Sequence, residues 1–311
     1  MSRSLTTAIA LLVTMVVGAC RAEPVESGGI DDDGLAVLWV DGAGEARLDV
    51  TGGTDGPEIP LPDGDPTWVS FGADDTIALT RAAAAVALRN AKTGAWRDLK
   101  ATDASGDAPP GPGWFASWAP DGGRLALLAG DLSNGGPISV VLADPATETA
   151  FTIPVDEATL AAPPAWLDDD RVVIVTGDAD APLTRIVDAA SGSLEPGPSG
   201  ARFVAISTDG STVATLAPSS AIIALDEASA WLAGNGSSAS SAGTARAGAP
   251  AQGATPIAFA LDAAGDRLAA AWRRTDGTVV VAVHARAQDW APVTTRTFDD
   301  RARGAVVGWL R

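Results

Sequence analysis

The sequence predicts an all-β protein, a six-bladed β-propeller of four-stranded antiparallel blades with the last blade closed by both termini. Three observations lead to this prediction. A strand–turn–strand unit recurs along the chain, its copies are separated by 40 to 55 residues, and each end of the chain carries only part of a unit. A period in the forties with turn signals inside each unit is typical of a propeller blade.

The clearest copy of the unit covers residues 118–125, Trp-Ala-Pro-Asp-Gly-Gly-Arg-Leu, and is followed by the apolar run Ala-Leu-Leu-Ala-Gly. It contains a large apolar residue, a turn built on Asp-Gly, and an apolar residue that begins a second strand. We call the large apolar residue the anchor of a blade. Six anchors are assigned: Phe71, Trp118, Trp166, Ile206, Leu261 and Trp309.

A second turn motif follows the anchor by about twenty to twenty-six residues. It begins with an Asx residue, whose side chain caps the turn, and ends with a glycine that supplies the positive φ of a hairpin. Apolar strands flank it, so we place it between the third and fourth strands of a blade. The copies are Asn90–Gly94, Asp144–Glu148, Asp188–Gly192 and the degraded Asp226–Ala230.

The two ends of the chain complement each other. Residues 306–311 match only the first strand of a blade, whereas residues 31–40 match the turn and the second strand. One blade built from both termini would close the ring and remove its free edges. A five-blade count leaves these pieces unexplained, and a seven-blade count requires a further unit within residues 231–256.

Residues 1–19 are predicted to be a lipoprotein signal peptide. A positive charge at Arg3 precedes about ten apolar residues, which is too short a run to span a membrane as a helix. The sequence Val17-Gly-Ala-Cys20 resembles a bacterial lipobox, and Cys20 is the only cysteine. That resemblance implies lipidation at Cys20 and an extracytoplasmic protein anchored to the cell membrane. The alternative is an ordinary secretory signal with a cysteine there by chance.

The remaining chain divides into a tether and a propeller domain. Residues 20–33 are polar and lack periodicity, so we expect a flexible tether. The propeller is expected over residues 34–311. Within it, residues 234–254 are rich in Gly, Ser and Ala and have no apolar period, so we expect a disordered insertion there.

The strand–Trp-x-Pro-Asp-Gly–strand pattern at residues 118–125 resembles the repeat of TolB-like and WD40-like propellers. The best match is residues 113–155, and weaker copies extend the resemblance over about residues 33–311. The resemblance implies a six-bladed disc used mostly for protein contacts in the cell envelope, and therefore an envelope protein as partner.

Charge and composition exclude some functions. Asp and Glu outnumber Lys and Arg by 39 to 21, which gives a net charge of −18. Such a chain repels phosphate backbones, so we expect no nucleic-acid partner. His284 is the only histidine and lies in a predicted strand, where we expect it to have no functional role. No Gly-x-Ser-x-Gly elbow is present. We therefore predict no catalytic residue, no metal site and no cofactor.

Propeller geometry indicates where a binding site is expected. The first–second and third–fourth strand turns share one face, which we call the turn face. The second–third loops and the links between blades share the other, which we call the link face. The link-face loops vary most, and variable loops on a rigid scaffold usually carry binding. The candidate binding residues there are Trp114, Asp178, Asp180, Arg273, Arg274, Arg301 and Arg303.

Purely structural interpretations of these residues are open as well: Trp114 can be buried, and the arginines can form ion pairs with local acids. For the whole protein we carry two hypotheses. The first is a membrane-anchored, exported propeller lipoprotein that acts as a protein-binding or scaffolding module in the cell envelope. The second is a propeller enzyme, a hydrolase with a divalent metal bound in the channel.

Overall fold

The computed structural model describes residues 34–41, 43–51, 58–72, 76–81, 85–90, 92–107, 113–130, 138–155, 162–178, 180–234, 245–298 and 304–309. The predicted signal peptide, Cys20 and the tether therefore lie outside the described residues. The structure contains six four-stranded antiparallel sheets, which are the blades of a propeller. The prediction of an all-β, six-bladed propeller is confirmed.

We number the blades I to VI by their anchors. Blade I contains β4 (Pro66–Phe71), β5 (Ile77–Arg81), β6 (Ala87–Arg89) and β7 (Trp96–Asp98). Blade II contains β8 (Gly113–Trp118), β9 (Leu125–Gly130), β10 (Ile138–Asp144) and β11 (Thr149–Val155). Blade III contains β12 (Ala165–Trp166), β13 (Arg171–Asp178), β14 (Ala181–Asp188) and β15 (Leu194–Pro196).

The second half of the ring repeats this arrangement. Blade IV contains β16 (Phe203–Ile206), β17 (Thr212–Leu216), β18 (Ile222–Glu227) and β19 (Ala245–Gly248), with α1 (Ala228–Leu232) after β18. Blade V contains β20 (Thr255–Leu261), β21 (Arg267–Arg273), β22 (Val279–Ala285) and β23 (Pro292–Thr297), with a short 3-10 helix (Arg286–Gln288) after β22. Blade VI contains β24 (Gly304–Trp309), β1 (Leu35–Val40), β2 (Ala46–Thr51) and β3 (Glu58–Ile59).

The last blade is built from both ends of the propeller, as predicted. Strand β24 pairs antiparallel with β1 in a continuous register from Leu35 opposite Trp309 to Val40 opposite Gly304. Backbone hydrogen bonds between the two ends thus close the ring, with β24 as the innermost strand of blade VI.

Every predicted anchor is the last residue of the first strand in its blade. Two of the anchors, Phe71 and Trp118, pack against a neighbouring blade where a glycine leaves room. A Cβ added to Gly308 would lie 2.4 Å from the Phe71 ring, and one added to Gly72 would lie 2.8 Å from the Trp118 ring. The recurrence of an aromatic anchor and a small neighbour therefore follows from the close approach of consecutive blades.

Blade IV departs from the prediction in two places. The disorder expected over residues 234–254 is wrong for residues 245–254, because β19 pairs with β18 there and Ala247 and Ala254 are buried. An edge strand needs only backbone partners and one inward residue, so small side chains suffice. Residues 235–244 lie outside the described residues.

The second departure is α1, which follows β18 where the repeat predicts a hairpin turn. Gly94 and Gly192 end that turn in blades I and III with φ of 68° and 72°. Blade IV has Ala230 at this position, which does not favour positive φ. The chain turns helical instead and buries Trp231. No helix among the described residues is long and apolar enough to cross a membrane.

Candidate functional site

Four aromatic side chains close the central channel. The ring of Trp68 in blade I lies 5.7 Å from that of Phe115 in blade II, in an edge-to-face arrangement, and 6.1 Å from that of Phe203 in blade IV. Phe203 in turn lies 4.4 Å from Phe259 in blade V. Because blades I and IV are opposite in the ring, these contacts cross the channel. We call these four residues the aromatic plug.

Repeat position and β-bulges place the plug. Trp68, Phe115 and Phe203 each lie three residues before the anchor of their blade. The register shifts within β4 between Pro66 and Trp68, and within β8 between Trp114 and Ser117. Bulges redirect side chains and are common beside functional sites.

Phe115 is the most unusual of the plug residues. Its backbone has φ of 53°, in the left-handed region that a bulky side chain seldom adopts. The next residue is held by a neighbouring blade, since the Ala116 backbone N–H donates to the Thr80 hydroxyl at 3.1 Å in a buried position. The surrounding structure thus keeps the Phe115 ring in the channel at a cost in backbone strain.

A pocket of about 120 Å³ lies between the aromatic plug and the turn face. Trp68, Phe203 and Phe259 form its floor, and Pro120, Thr208 and other turn residues line its outer end. The residue directly before the anchor is small in every blade, which leaves this space open. These six residues are Ser70, Ser117, Ala165, Ala205, Ala260 and Gly308.

The pocket is lined by uncharged residues. No Asp, Glu, His, Cys, Lys or Arg is among the described residues that line it. Its side-chain polar groups are four hydroxyls and the indole N–H groups of four tryptophans. The Ser70 hydroxyl oxygen is buried and has no hydrogen-bond partner among the described residues. The Ser207 hydroxyl donates to Asp209 Oδ1 at 2.7 Å. The lining can pack an apolar group and exchange a few hydrogen bonds, but it offers no acid or base to a substrate.

Carboxylates surround one side of the pocket mouth. Asp121, Asp169 and Asp209 lie in the first–second strand turns of blades II, III and IV, and none has a salt-bridge partner among the described residues. We call these three residues the acidic arc. Asp169 Oδ1 accepts a hydrogen bond from the Asp121 backbone N–H at 3.0 Å, which joins two of the turns.

Hydrogen bonds keep the third carboxylate of the arc ionised. Partial burial alone would raise the pKa of Asp209, but hydrogen bonds from Ser207 and Ser211 and the charge of Arg286 outweigh it and lower that pKa. The mouth of the pocket therefore carries negative charge at neutral pH, while its interior does not.

The predicted candidate residues that the structure describes lie on the link face, opposite this pocket. Asp178 and Asp180 are exposed at the end of β13 and in the following loop of blade III. Arg273 ends β21 in blade V, and burial lowers the pKa of its guanidinium. Arg274 begins the next loop, with Nε buried and unpartnered among the described residues. Arg301 and Arg303 lie outside the described residues, so the proposed basic patch stays a prediction.

Trp114 belongs to the packing at the link face. Its side chain is half-buried against the hydrophobic core between blades II and III. The indole Nε1 donates to the Gly130 carbonyl oxygen at 2.9 Å. Part of the ring remains accessible, so a contact through Trp114 is still a prediction.

Two buried titratable side chains, Arg202 and His284, lie outside the pocket. The sequence reasoning missed Arg202, which precedes β16 on the link face; its Nε is buried without a partner among the described residues, and burial lowers its pKa. His284 is fully buried, with Nδ1 2.9 Å from the Trp290 carbonyl oxygen. No group of three or more Asp, Glu, His or Cys in the described part of the chain could hold a metal ion.

Comparisons with known proteins identify the fold. No protein-family model and no curated protein sequence matches the chain. Among solved structures, TolB from Acinetobacter baumannii is similar with a TM-score of 0.64 and 14% identity, over 89% of this chain and 67% of TolB. A chain in a nidogen–laminin complex gives a TM-score of 0.61 and 10% identity, over 88% of this chain and 98% of the other.

A third structure has a more distant likeness. The β-propeller domain of Cps50 (Swd1) from Myceliophteria thermophila gives a TM-score of 0.51 and 12% identity, over 88% of this chain and 89% of that domain. Identities this low establish the fold alone. At that level the resemblance predicted from the repeat is confirmed: the chain has the fold of TolB-like and WD40-like propellers.

Proposed function

We propose that this protein is an exported, lipid-anchored β-propeller that binds another protein of the cell envelope and acts as a scaffold. The observation that carries the proposal is the central pocket, which is concave, uncharged inside and bordered by carboxylates on one side of its mouth. A rigid ring with such a pocket presents a surface for recognition. One similar structure is a complex of nidogen with laminin, and another is TolB; these likenesses support a binding role through the fold only.

The anchoring part of the proposal rests on the lipobox-like sequence at Cys20. The first described residue, Gly34, lies at the turn-face end of β1. Gly34 is the fourteenth residue after Cys20, and an extended chain of that length spans at most about 50 Å. A lipid on Cys20 would therefore hold the turn face within reach of the membrane, where an envelope protein can meet it.

The second hypothesis, a hydrolase with a divalent metal in the channel, has no supporting observation in the described residues. The pocket lining contributes hydroxyls and backbone groups but no carboxylate or imidazole. Divalent metals such as calcium require several oxygen ligands, with carboxylates prominent among them.

A crosslinking capture from intact membranes tests the proposal. The full chain and its Cys20→Ala variant are expressed at equal levels, crosslinked in cells and purified, and captured proteins are identified by mass spectrometry. We expect a specific envelope protein with the wild type and a loss of both membrane association and capture with Cys20→Ala. Membrane association without any captured protein would contradict the binding role. Unchanged association in the variant would contradict the anchor.

A further inference from the structure

We propose that the turn-face pocket receives one aliphatic side chain from a partner segment that carries lysine or arginine beside it. This inference rests on the proposed protein-binding function and names the chemistry of the partner. It is independent of the link-face residues, none of which contributes to the pocket. Three features of the pocket support it: its size, the charge at its mouth and the hydroxyls on its wall.

The size of the pocket selects a single side chain. Its volume of about 120 Å³ is somewhat below the roughly 150 Å³ of an apolar cavity that holds benzene. Ala205 lies two residues after Phe203 in β16, so both side chains point into the channel, with Ala205 one layer nearer the turn face. The pocket is thus narrow, with small side chains on its wall and aromatic rings at its floor. A space of this shape fits the side chain of Leu, Ile, Val or Met.

The negative charge at the mouth favours a positively charged residue beside the inserted side chain. The three carboxylates of the acidic arc have no salt-bridge partner among the described residues, whereas neighbouring turn acids do. Asp170 is paired with Arg124 at 3.2 Å, and Asp262 with Arg267 at 3.1 Å. An acidic segment would be repelled from this mouth, so charge complementarity favours a partner with Lys or Arg next to the inserted residue.

The hydroxyls provide a means of holding the backbone of an inserted segment. The buried Ser70 oxygen, unpartnered among the described residues, lies on the same side of β4 as Trp68, two residues away, and therefore faces the channel. A buried polar atom left unpaired is costly, so turning the Ser70 hydroxyl toward a donor or acceptor of the inserted segment would gain a favourable bond.

The test is a selection of peptides by the full chain in detergent, with a phage-displayed library of random 12-residue peptides as the probe. We expect the enriched peptides to share an aliphatic residue adjacent to Lys or Arg. The affinity of one synthesised peptide is then measured by calorimetry at low and high salt. We expect weaker binding at high salt, because exposed charges are screened.

Two variants with matched controls assign binding to the pocket. Ala205→Leu fills the pocket, and Ala43→Leu makes the same change at an exposed position of the link face. The second variant, which we call the arc variant, replaces Asp121, Asp169 and Asp209 by Asn. It removes the charge of the acidic arc but keeps an acceptor oxygen in each turn. The control replaces the exposed link-face residues Asp63, Asp65 and Asp276 by Asn, with the same change in net charge.

We expect both pocket variants to bind the peptide at least about tenfold more weakly, and both controls to bind it like the wild type. The arc variant is nearly isosteric, so it remains informative if Ala205→Leu lowers the melting temperature. Acidic or purely neutral enriched peptides, no enrichment, or equal affinity for all four variants would overturn the proposal.

The capture from membranes separates this inference from the proposed function. A partner captured equally by the wild type, Ala205→Leu and the arc variant would leave the scaffold function intact and overturn the pocket assignment. A partner lost only with the two pocket variants would support both. If no partner is captured by any chain, the proposed function fails, and the peptide selection alone then decides whether the pocket binds basic, aliphatic segments.

Discussion

Trp68 and Phe203 face each other from opposite blades of the ring, with ring centroids 6.1 Å apart. Blade I and blade IV share no sheet and are separated by two blades on either side. The contact therefore braces the propeller across its diameter, in addition to the pairing of β24 with β1 around its circumference. It also sets the depth of the pocket, because the same two rings form its floor.

Removing one ring of this brace is expected to destabilise the fold. Truncating a buried Phe to Ala typically costs about 3–5 kcal/mol, and Phe203 is partly exposed to the channel, so we expect about 2 kcal/mol for Phe203→Ala. Phe151→Ala is the control, because that ring is 47% exposed on an outer strand. Denaturant unfolding measures both. Equal losses for the two variants would contradict the bracing role.

The sequence predicts the ring well and the pocket poorly. All six anchors end a first strand, and the terminal closure follows from the partial repeats, since both depend on local periodicity. The aromatic plug depends on bulges in β4, β8 and β20, which shift the register by one residue and leave no clear sequence signal.

The sequence does contain a pattern that marks the position of the pocket. Aligning the six anchors shows a small residue directly before each one and an aromatic residue three before in blades I, II and IV. Both features point into the channel only once the ring is closed, so their meaning depends on tertiary structure. Loop variability instead directed the prediction to the link face, where the described candidates are spread over blades II, III and V.

The anchors offer a test of how consecutive blades are joined. Trp166 Nε1 donates to the Ser117 carbonyl oxygen at 2.9 Å, whereas Trp118 Nε1 is buried without a partner among the described residues. The two side chains are 4% and 5% exposed. A hydrogen bond contributes about 1 kcal/mol net, so we expect Trp166→Phe to cost about 1 kcal/mol more than Trp118→Phe. Thermal and denaturant unfolding measure the difference, and a larger loss for Trp118→Phe would contradict this account.

The hairpin of blade II is expected to gain stability from a glycine. Glu148 has φ of 55° where Gly94 and Gly192 stand in blades I and III. Its ion pair with Arg97, at 3.7 Å, is exposed and contributes little. We expect Glu148→Gly to stabilise the fold by about 0.5–1 kcal/mol, since the left-handed conformation costs an L residue about 1–2 kcal/mol.

The reverse change in blade III provides the control for this hairpin. Gly192→Ala places a Cβ in the same left-handed conformation and 3.0 Å from the Phe151 ring. We expect it to destabilise the fold by about 1 kcal/mol or more. Opposite shifts in the melting temperature for the two variants would agree with a shared hairpin geometry. Destabilisation by both would show that the contacts of the Glu148 side chain stabilise the fold by more than its left-handed backbone conformation costs.

The buried histidine makes stability depend on pH. Burial lowers the pKa of His284 below its ordinary value of 6.5, although the hydrogen bond to the Trp290 carbonyl raises it in part. The unfolded chain therefore binds more protons than the folded one below about pH 6.5, so the free energy of unfolding falls as the pH drops from there to the folded-state pKa. Above that window His284 is neutral in both states and contributes no dependence.

Unfolding at several pH values with and without this imidazole isolates its effect. The carboxylates whose pKa is lowered, such as Asp188 and Asp209, lose their contribution only as the pH falls below about 3.8, so the window between pH 5 and 7 belongs to His284. We expect the wild type to lose stability from pH 7 to 5 and His284→Leu to lose markedly less over the same range. Equal slopes for the two proteins would show that His284 accepts a proton in the folded state without cost, in conflict with its burial beside Trp272.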